Sequence, residues 1–216
     1  MTLSNQRPIR EDGRVTRKYI LECAGKRIAE KGFEKTTAKE ICEAAGESQS
    51  AINYHFGSRN GMYKELLELC YNHLLNLDYM MDIERLEGNV LERIRKFQDM
   101  IIHNMLEEDS WEIRVWVREI LTPSPFLKEL LEDVGTPKRA FLLRMFSEYT
   151  GRSIRDPILY AVILGFLSPF AVLSLVINRD VDYTELIPKG IGRPDKGLMV
   201  EQMRKFSLAG LNAFKI

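Results

Sequence analysis

Apolar side chains recur along this chain at intervals of three and four residues, the spacing of one face of an α-helix. Ile20, Leu21, Ala24 and Ile28 mark a first helix over 15–31, which Gly32 stops and Phe33 anchors. Thr37 followed by Glu40 is a capping-box signature and predicts a short helix ending at Gly46. Ser48 is expected to cap another short helix running through about Tyr54. Gly57 breaks the pattern, and Ser58 is expected to cap a longer helix reaching about residue 78, with Met62, Leu66, Leu69, Cys70, Leu74 and Leu77 on its stripe.

The remainder has the same period. Leu86, Val90, Ile94, Phe97, Ile101 and Met105 predict a helix over 84–107. A short helix over 110–121 stops at Thr122-Pro123-Ser124-Pro125, and a segment over 126–149 is broken or kinked by Gly135 and Pro137. An apolar helix over 157–178, a loop over 188–197 and a last helix over 196–214 complete the chain. No stretch alternates as a strand does, so the fold class is all-α.

Residues 158–177 carry no charge over a length that could span a bilayer. Gly165, Ser168 and Pro169 interrupt the stretch, and its flanks, Arg155-Asp156 and Arg179-Asp180, show no one-sided basic bias. A buried helix is the expectation, with a membrane-anchored or helical interaction protein as the alternative.

Charge divides the chain in two. The 31 basic and 31 acidic residues cancel, yet residues 1–64 hold 12 Lys/Arg against 8 Asp/Glu. A basic front points to an anionic partner there. Cys23, Cys42 and Cys70 are too few for a disulfide framework and read as small buried side chains. The first residues, Met1 to Arg7, contain no apolar signal region, so a cytoplasmic protein with a polar N-terminal arm over 1–13 is expected.

The chemistry concentrates in 36–56, where two short helices flank a tight turn at Ala45-Gly46-Glu47. This is helix-turn-helix spacing, in which the second helix enters a major groove of double-stranded DNA. Ala38, Ile41, Ala45, Ala51 and Ile52 would pack the pair, leaving Ser48, Gln49, Ser50 and Asn53 outward. Gln and Asn can bond adenine bidentately. Tyr54, His55, Ser58 and Arg59 are expected where phosphates pass, with Thr37 at a helix N-terminus offering another phosphate contact.

The stretch AAGESQSAINYHFGSRNGMY, residues 44–63, resembles the DNA-binding domain of the TetR family of bacterial transcriptional regulators. Gly46, Tyr54-His55-Phe56, Gly57-Ser58 and Arg59 carry the resemblance, together with Ala29-Glu30-Lys31-Gly32-Phe33 and Thr36-Thr37 upstream. Glu47 stands where the family often has Val, and Arg59 replaces a more usual Lys. The segment Arg118-Glu119-Ile120-Leu121-Thr122-Pro123-Ser124-Pro125-Phe126 is similar to an AcrR- and CecR-like subgroup. The resemblance implies a helix-turn-helix domain over 14–60 joined by a long helix to a ligand-binding and dimerisation domain over 61–216. It also implies a ligand-responsive homodimer, a repressor that binds a pseudo-palindromic operator and answers to a small-molecule effector.

Two half-site readers about one turn apart need a two-fold pair, and a pair needs a self-complementary apolar surface. Ala161, Gly165, Ser168 and Ala171 on one helix, and Met203, Phe206 and Gly210 on the last, are the expected interface. The expected effector is small and largely apolar, held between 84–107, 110–121 and 157–178 by His103, Trp111, Arg114, Trp116, Arg118 and Tyr160. The two arginines could equally pair with Glu112 or Glu119. Cys70 and His73 lack a second ligand pair, so no metal is expected, and no cofactor. GIGRPDKG follows no strand and lacks a GK[ST] ending, and no nucleophile–base set stands out, so the chain does not read as an enzyme.

Overall fold

The computed structural model describes residues 8–107, 109–177 and 195–216, and among them the regular structure is eleven α-helices without a strand. The order is α1 Pro8–Lys31, α2 Ala38–Ala45, α3 Ala51–Phe56, α4 Arg59–Leu74, α5 Leu77–Arg85, α6 Val90–Met105, α7 Trp111–Leu121, α8 Phe126–Asp133, α9 Gly135–Thr150, α10 Pro157–Ile177 and α11 Lys196–Asn212. The all-α expectation holds.

Several boundaries differ from the periodicity, each for a local reason. The expected arm over 1–13 is helical from residue 8, because Pro8 opens α1 at the one helical position where a missing N–H costs nothing. The single helix expected over 58–78 is two, because the Asn76 side chain accepts from the Tyr79 N–H at 2.9 Å and starts α5. Asn89 does the same for α6 through the Glu92 N–H at 3.0 Å, so Leu86 falls in the link rather than on the α6 stripe. Ser110 caps α7, and Asp195 caps α11. The chain divides at Val134 between α8 and α9, as Gly135 suggested. Residues 1–7 of the expected arm and 188–194 of the expected loop lie outside the described residues.

One continuous apolar core runs through the molecule. At one end Ile20, Ala24 and Ile28 of α1 meet Ile41 and Cys42 of α2 and Ile52 of α3. The body is built from α4 to α11. Between the two, α7 packs across both α1 and α4.

The apolar helix α10 packs on α6, α9 and α11, burying Leu159, Val162, Phe166, Phe170 and Leu173. Its stretch Pro157–Ser174 is long and apolar enough to cross a membrane, and 44% of it is buried inside the molecule. The other face, with Leu164 64% and Val172 60% exposed, explains why the sequence reads apolar all round.

Candidate nucleic-acid interface

The helix-turn-helix is built by short-range bonds. The Glu40 N–H donates to Thr37 Oγ1 at 3.2 Å, and the Thr37 N–H donates to Glu40 Oε2 at 2.8 Å, closing the capping box. Lys31 also pairs with Glu40, and these donors hold its carboxyl down to about 2, Lys31 contributing most. Gly46 ends α2 at φ 68°, a left-handed geometry that glycine adopts without steric cost. The Glu47 N–H donates back to the Cys42 carbonyl at 2.9 Å, completing the turn.

α3 buries Ala51, Ile52 and Phe56 against the core. That fixes its opposite side outward. Thr37, Ser48, Gln49, Ser50, Asn53, Tyr54 and Ser58 are all exposed, and the Tyr54 ring is 83% exposed. Ser48 does not cap the helix as expected. It lies in the turn before α3, its hydroxyl 2.9 Å from that of Ser50. Ser58 does cap, accepting from the Gly61 N–H at 2.9 Å. His55 is half-buried, and its carbonyl accepts from Arg17 Nε at 3.3 Å. Arg17 also pairs with Glu65 and lies 4.9 Å over the Phe56 ring, so one α1 side chain ties α3 to α4. No periodic signal marked it.

Arg59 departs from the expectation of a phosphate contact. Its Nε donates to the Thr36 carbonyl at 3.0 Å, its Nη2 donates to the Phe33 carbonyl, and the guanidinium lies 3.8 Å over the Phe33 ring. A planar fork suits two carbonyls and a ring face. The side chain is thereby drawn inward to brace the link before α2.

The expected effector residues are not gathered in one cavity. Trp111 lies against α1, where a Cβ on Gly25 would meet its ring at 2.1 Å. Arg118 Nη2 donates to the Ala29 and Glu30 carbonyls, both at 3.4 Å, at the C-terminal end of α1. Arg114, between them on α7, is half-buried, and its buried Nε has no hydrogen-bond partner among the described residues. Trp116 is buried and stacks on Tyr71 at 4.8 Å. His103 is exposed in an open cleft with Tyr79 and Asp99, and Tyr160 is 49% exposed on α10. For Trp111, Trp116 and Arg118 the reason is local: α7 is apolar around its circumference because it is wedged between α1 and α4.

Two buried charges have partners that the sequence did not indicate: Glu119, a candidate partner of Arg114 and Arg118, is held by Tyr63 and Ser124 instead, and Lys138 was not singled out. Glu119 is 2% exposed and accepts from Tyr63 Oη at 2.7 Å, from the Ser124 N–H at 2.8 Å and from Ser124 Oγ at 2.6 Å. Burial, then Glu119, pushes the Tyr63 phenol far above its ordinary range, so it remains a donor. Lys138 is fully buried, donating to Asn72 Oδ1 at 2.6 Å and lying 4.0 Å over the Tyr71 ring.

On the expected pairing face, Ala161, Gly165 and Ser168 are exposed and Ala171 is half-buried. Gly210 and Phe206 of α11 are exposed, and Met203 is half-buried. A Cβ on Gly165 or Gly210 would meet nothing within 4 Å. Between the two helices lies an apolar groove of about 430 Å³, lined by Pro169, Val172, Met199, Met203 and Phe206 among others.

A short α3 set outward on a packed tri-helical end, over an all-helical body, is a helix-turn-helix arrangement. Residues 20–66 match the bacterial regulatory proteins of the tetR family, and residues 90–211 match the C-terminal domain of the HTH-type transcriptional dual regulator CecR. The chain belongs to the TetR family of bacterial transcriptional regulators.

Among curated relatives, it is 27% identical over 117 residues to the HTH-type transcriptional regulator AcrR of Shigella flexneri, spanning 53% of this chain and 52% of that one. It is 24% identical over 107 residues to IcaR of Staphylococcus aureus strain Newman, a negative regulator of the biofilm operon icaADBC, spanning 50% of this chain and 55% of that one. The match therefore spans about half the length of these relatives. The fold is shared with the TetR family regulator PfmR of Thermus thermophilus, at TM-score 0.63 and 20% identity over 89% of this chain and 97% of that one. A TetR-like regulator from Rhodococcus sp. RHA1 superposes at TM-score 0.64 and 11% identity over 92% and 96% of the two chains.

Proposed function

We propose that the protein is a homodimeric, cytoplasmic repressor that reads a two-fold operator and releases it when a small molecule binds the body. The observation carrying this reading is the outward face of α3 and its approach, where Ser48, Gln49, Ser50, Asn53 and Tyr54 stand together free of the core. Amides and hydroxyls there suit base edges, and Thr37, Tyr54 and Ser58 are exposed on the same helix-turn-helix as candidate phosphate contacts. Repression is supported by the relatives, one of which is itself a negative regulator.

Dimerisation is supported by the α10–α11 face. Leu164, Val172 and Phe206 are more than half exposed there, an apolar surface of the kind monomers rarely leave uncovered. The same pairing accounts for the outer half of α10, without a bilayer. The effector is taken to act through the body, where Trp116 of α7 stacks on Tyr71 of α4. By linkage, an effector that weakens DNA binding is itself bound less tightly in the presence of operator.

The test is selection of duplexes from a random DNA library with the full-length protein, followed by light scattering of the complex. A selected site with two inverted half-sites, bound by two chains, supports the reading. Recovery of no preferred sequence, or binding by one chain, removes it.

A further inference from the structure

The last turn of α7 grips, at successive residues, α1 of the DNA-reading end and α4, the helix that leaves it. Arg118 reaches the α1 carbonyls of Ala29 and Glu30, and Glu119 reaches the Tyr63 hydroxyl on α4. The Glu119 carboxylate is buried with three neutral donors and forms no ion pair among the described residues. For stability alone this is a poor choice, since a buried carboxylate loses its water before any bond repays it.

For direction it is a good one. A carboxylate has no donor of its own, so each incoming group must point at a fixed oxygen. Ser124, held between Pro123 and Pro125, occupies Oε1 with two bonds and leaves Oε2 to Tyr63. The Tyr63 ring in turn stacks on Phe33 at 3.9 Å, with Phe126 edge-on to both and Arg59 over Phe33. Arg59 opens α4 directly after the Gly57–Ser58 turn that ends α3. An unbroken run of contacts joins the exit of the DNA-reading helix to the corner between α7 and α8.

We infer that Tyr63 and Glu119 are a positioning pair, whose hydrogen bond sets the angle of the helix-turn-helix on the body and so the spacing of half-sites the dimer accepts. The inference rests on the dimeric reading above. Successive base pairs stand about 3.4 Å apart along a strand, so a spacer one base pair longer moves and rotates one half-site relative to the other. A pinned domain rejects that change, and a domain free to tilt follows it.

The experiment uses duplexes selected with the wild-type protein, and versions with the spacer one base pair longer or shorter. Wild type is expected to bind the altered spacers roughly tenfold more weakly or worse, a loss of about 1.4 kcal/mol. Tyr63→Phe keeps the ring stack and loses only the hydroxyl. It should hold the selected spacer within a few-fold of wild type and lose most of the discrimination. Glu119→Gln, whose amide offers one acceptor oxygen where the carboxylate offers two, should lose part of the discrimination, and the double variant should discriminate no less than Tyr63→Phe alone, since a single bond joins the pair. A purely structural role would weaken all spacers together. Helical circular dichroism and particle mass confirm that each variant is folded, and Tyr63→Phe carries the test alone should Glu119→Gln unfold. If wild type itself ignores the spacer, the dimeric reading falls. If wild type discriminates and folded Tyr63→Phe discriminates equally, that reading stands and the positioning pair is overturned.

Discussion

Asn53 lies within α3 and Arg59 opens α4 just after it, yet they are expected to fail in different ways. Asn53 is exposed on the outward face, so Asn53→Ala should relax base preference at one operator position, costing about 1–3 kcal/mol there. The slope of affinity against salt should not change. Arg59 is turned inward onto two carbonyls and a ring. Arg59→Ala should therefore lower unfolding stability by roughly 1–3 kcal/mol and weaken all DNA sequences alike, again without flattening the salt slope. Urea melts and titrations at several salt concentrations separate the two. Lys138 gives a third residue-scale expectation. Burial holds its ammonium down to about 8, from 10.5. Between these values the unfolded chain binds the extra proton, so this residue makes the fold more stable as pH rises, and its penalty is complete below pH 8. Lys138→Met should stabilise the protein at pH 7. The gap between variant and wild type should close as the melts are repeated toward pH 10.

Among the elements, α7 carries the most consequence. It meets α1 so closely at Gly25 that any side chain there would strike the Trp111 ring. Gly25→Ala should cost about 1–3 kcal/mol by forcing α1 and α7 apart. Trp111→Leu in the same chain should recover part of that loss in a thermal melt. If the second change adds to the first, the two helices do not meet as described. The turn between α2 and α3 is decided at Gly46, where a left-handed backbone follows the capping-box helix.

For the whole molecule, the question is how two copies meet. Gly165 sits at the centre of the exposed α10 face with open space around its Cβ position. A side chain there does not disturb the single chain, and replacing a mid-helix glycine favours the helix by up to about 1 kcal/mol. Gly165→Arg should thus leave the helical signal intact while placing a charge in an apolar pairing surface. Sedimentation should show a folded monomer with weakened operator binding. An unchanged dimer would move the interface off this face of α10.

The amino-acid sequence by itself determined the helical class, the helix-turn-helix and its outward residues. The reason is range. The capping box of Thr37 and Glu40, the Gly46 turn and the buried positions Ile41, Ala45, Ala51 and Ile52 all act within a few residues of one another. Small residues along the uncharged α10 gave the expectation of a pairing face, and Ala161, Gly165 and Ser168 are exposed there. What lay beyond reach was the identity of each partner. A stripe says that a side is buried, not against what. Tertiary packing alone turned Arg59 to the Phe33 carbonyl, carried Arg118 to the end of α1, and left His103 and Tyr160 facing outward. It also brought Tyr63 to Glu119, 56 positions away in the chain, where a buried carboxylate finds its donors only once α4, α7 and the Pro123–Pro125 corner have met.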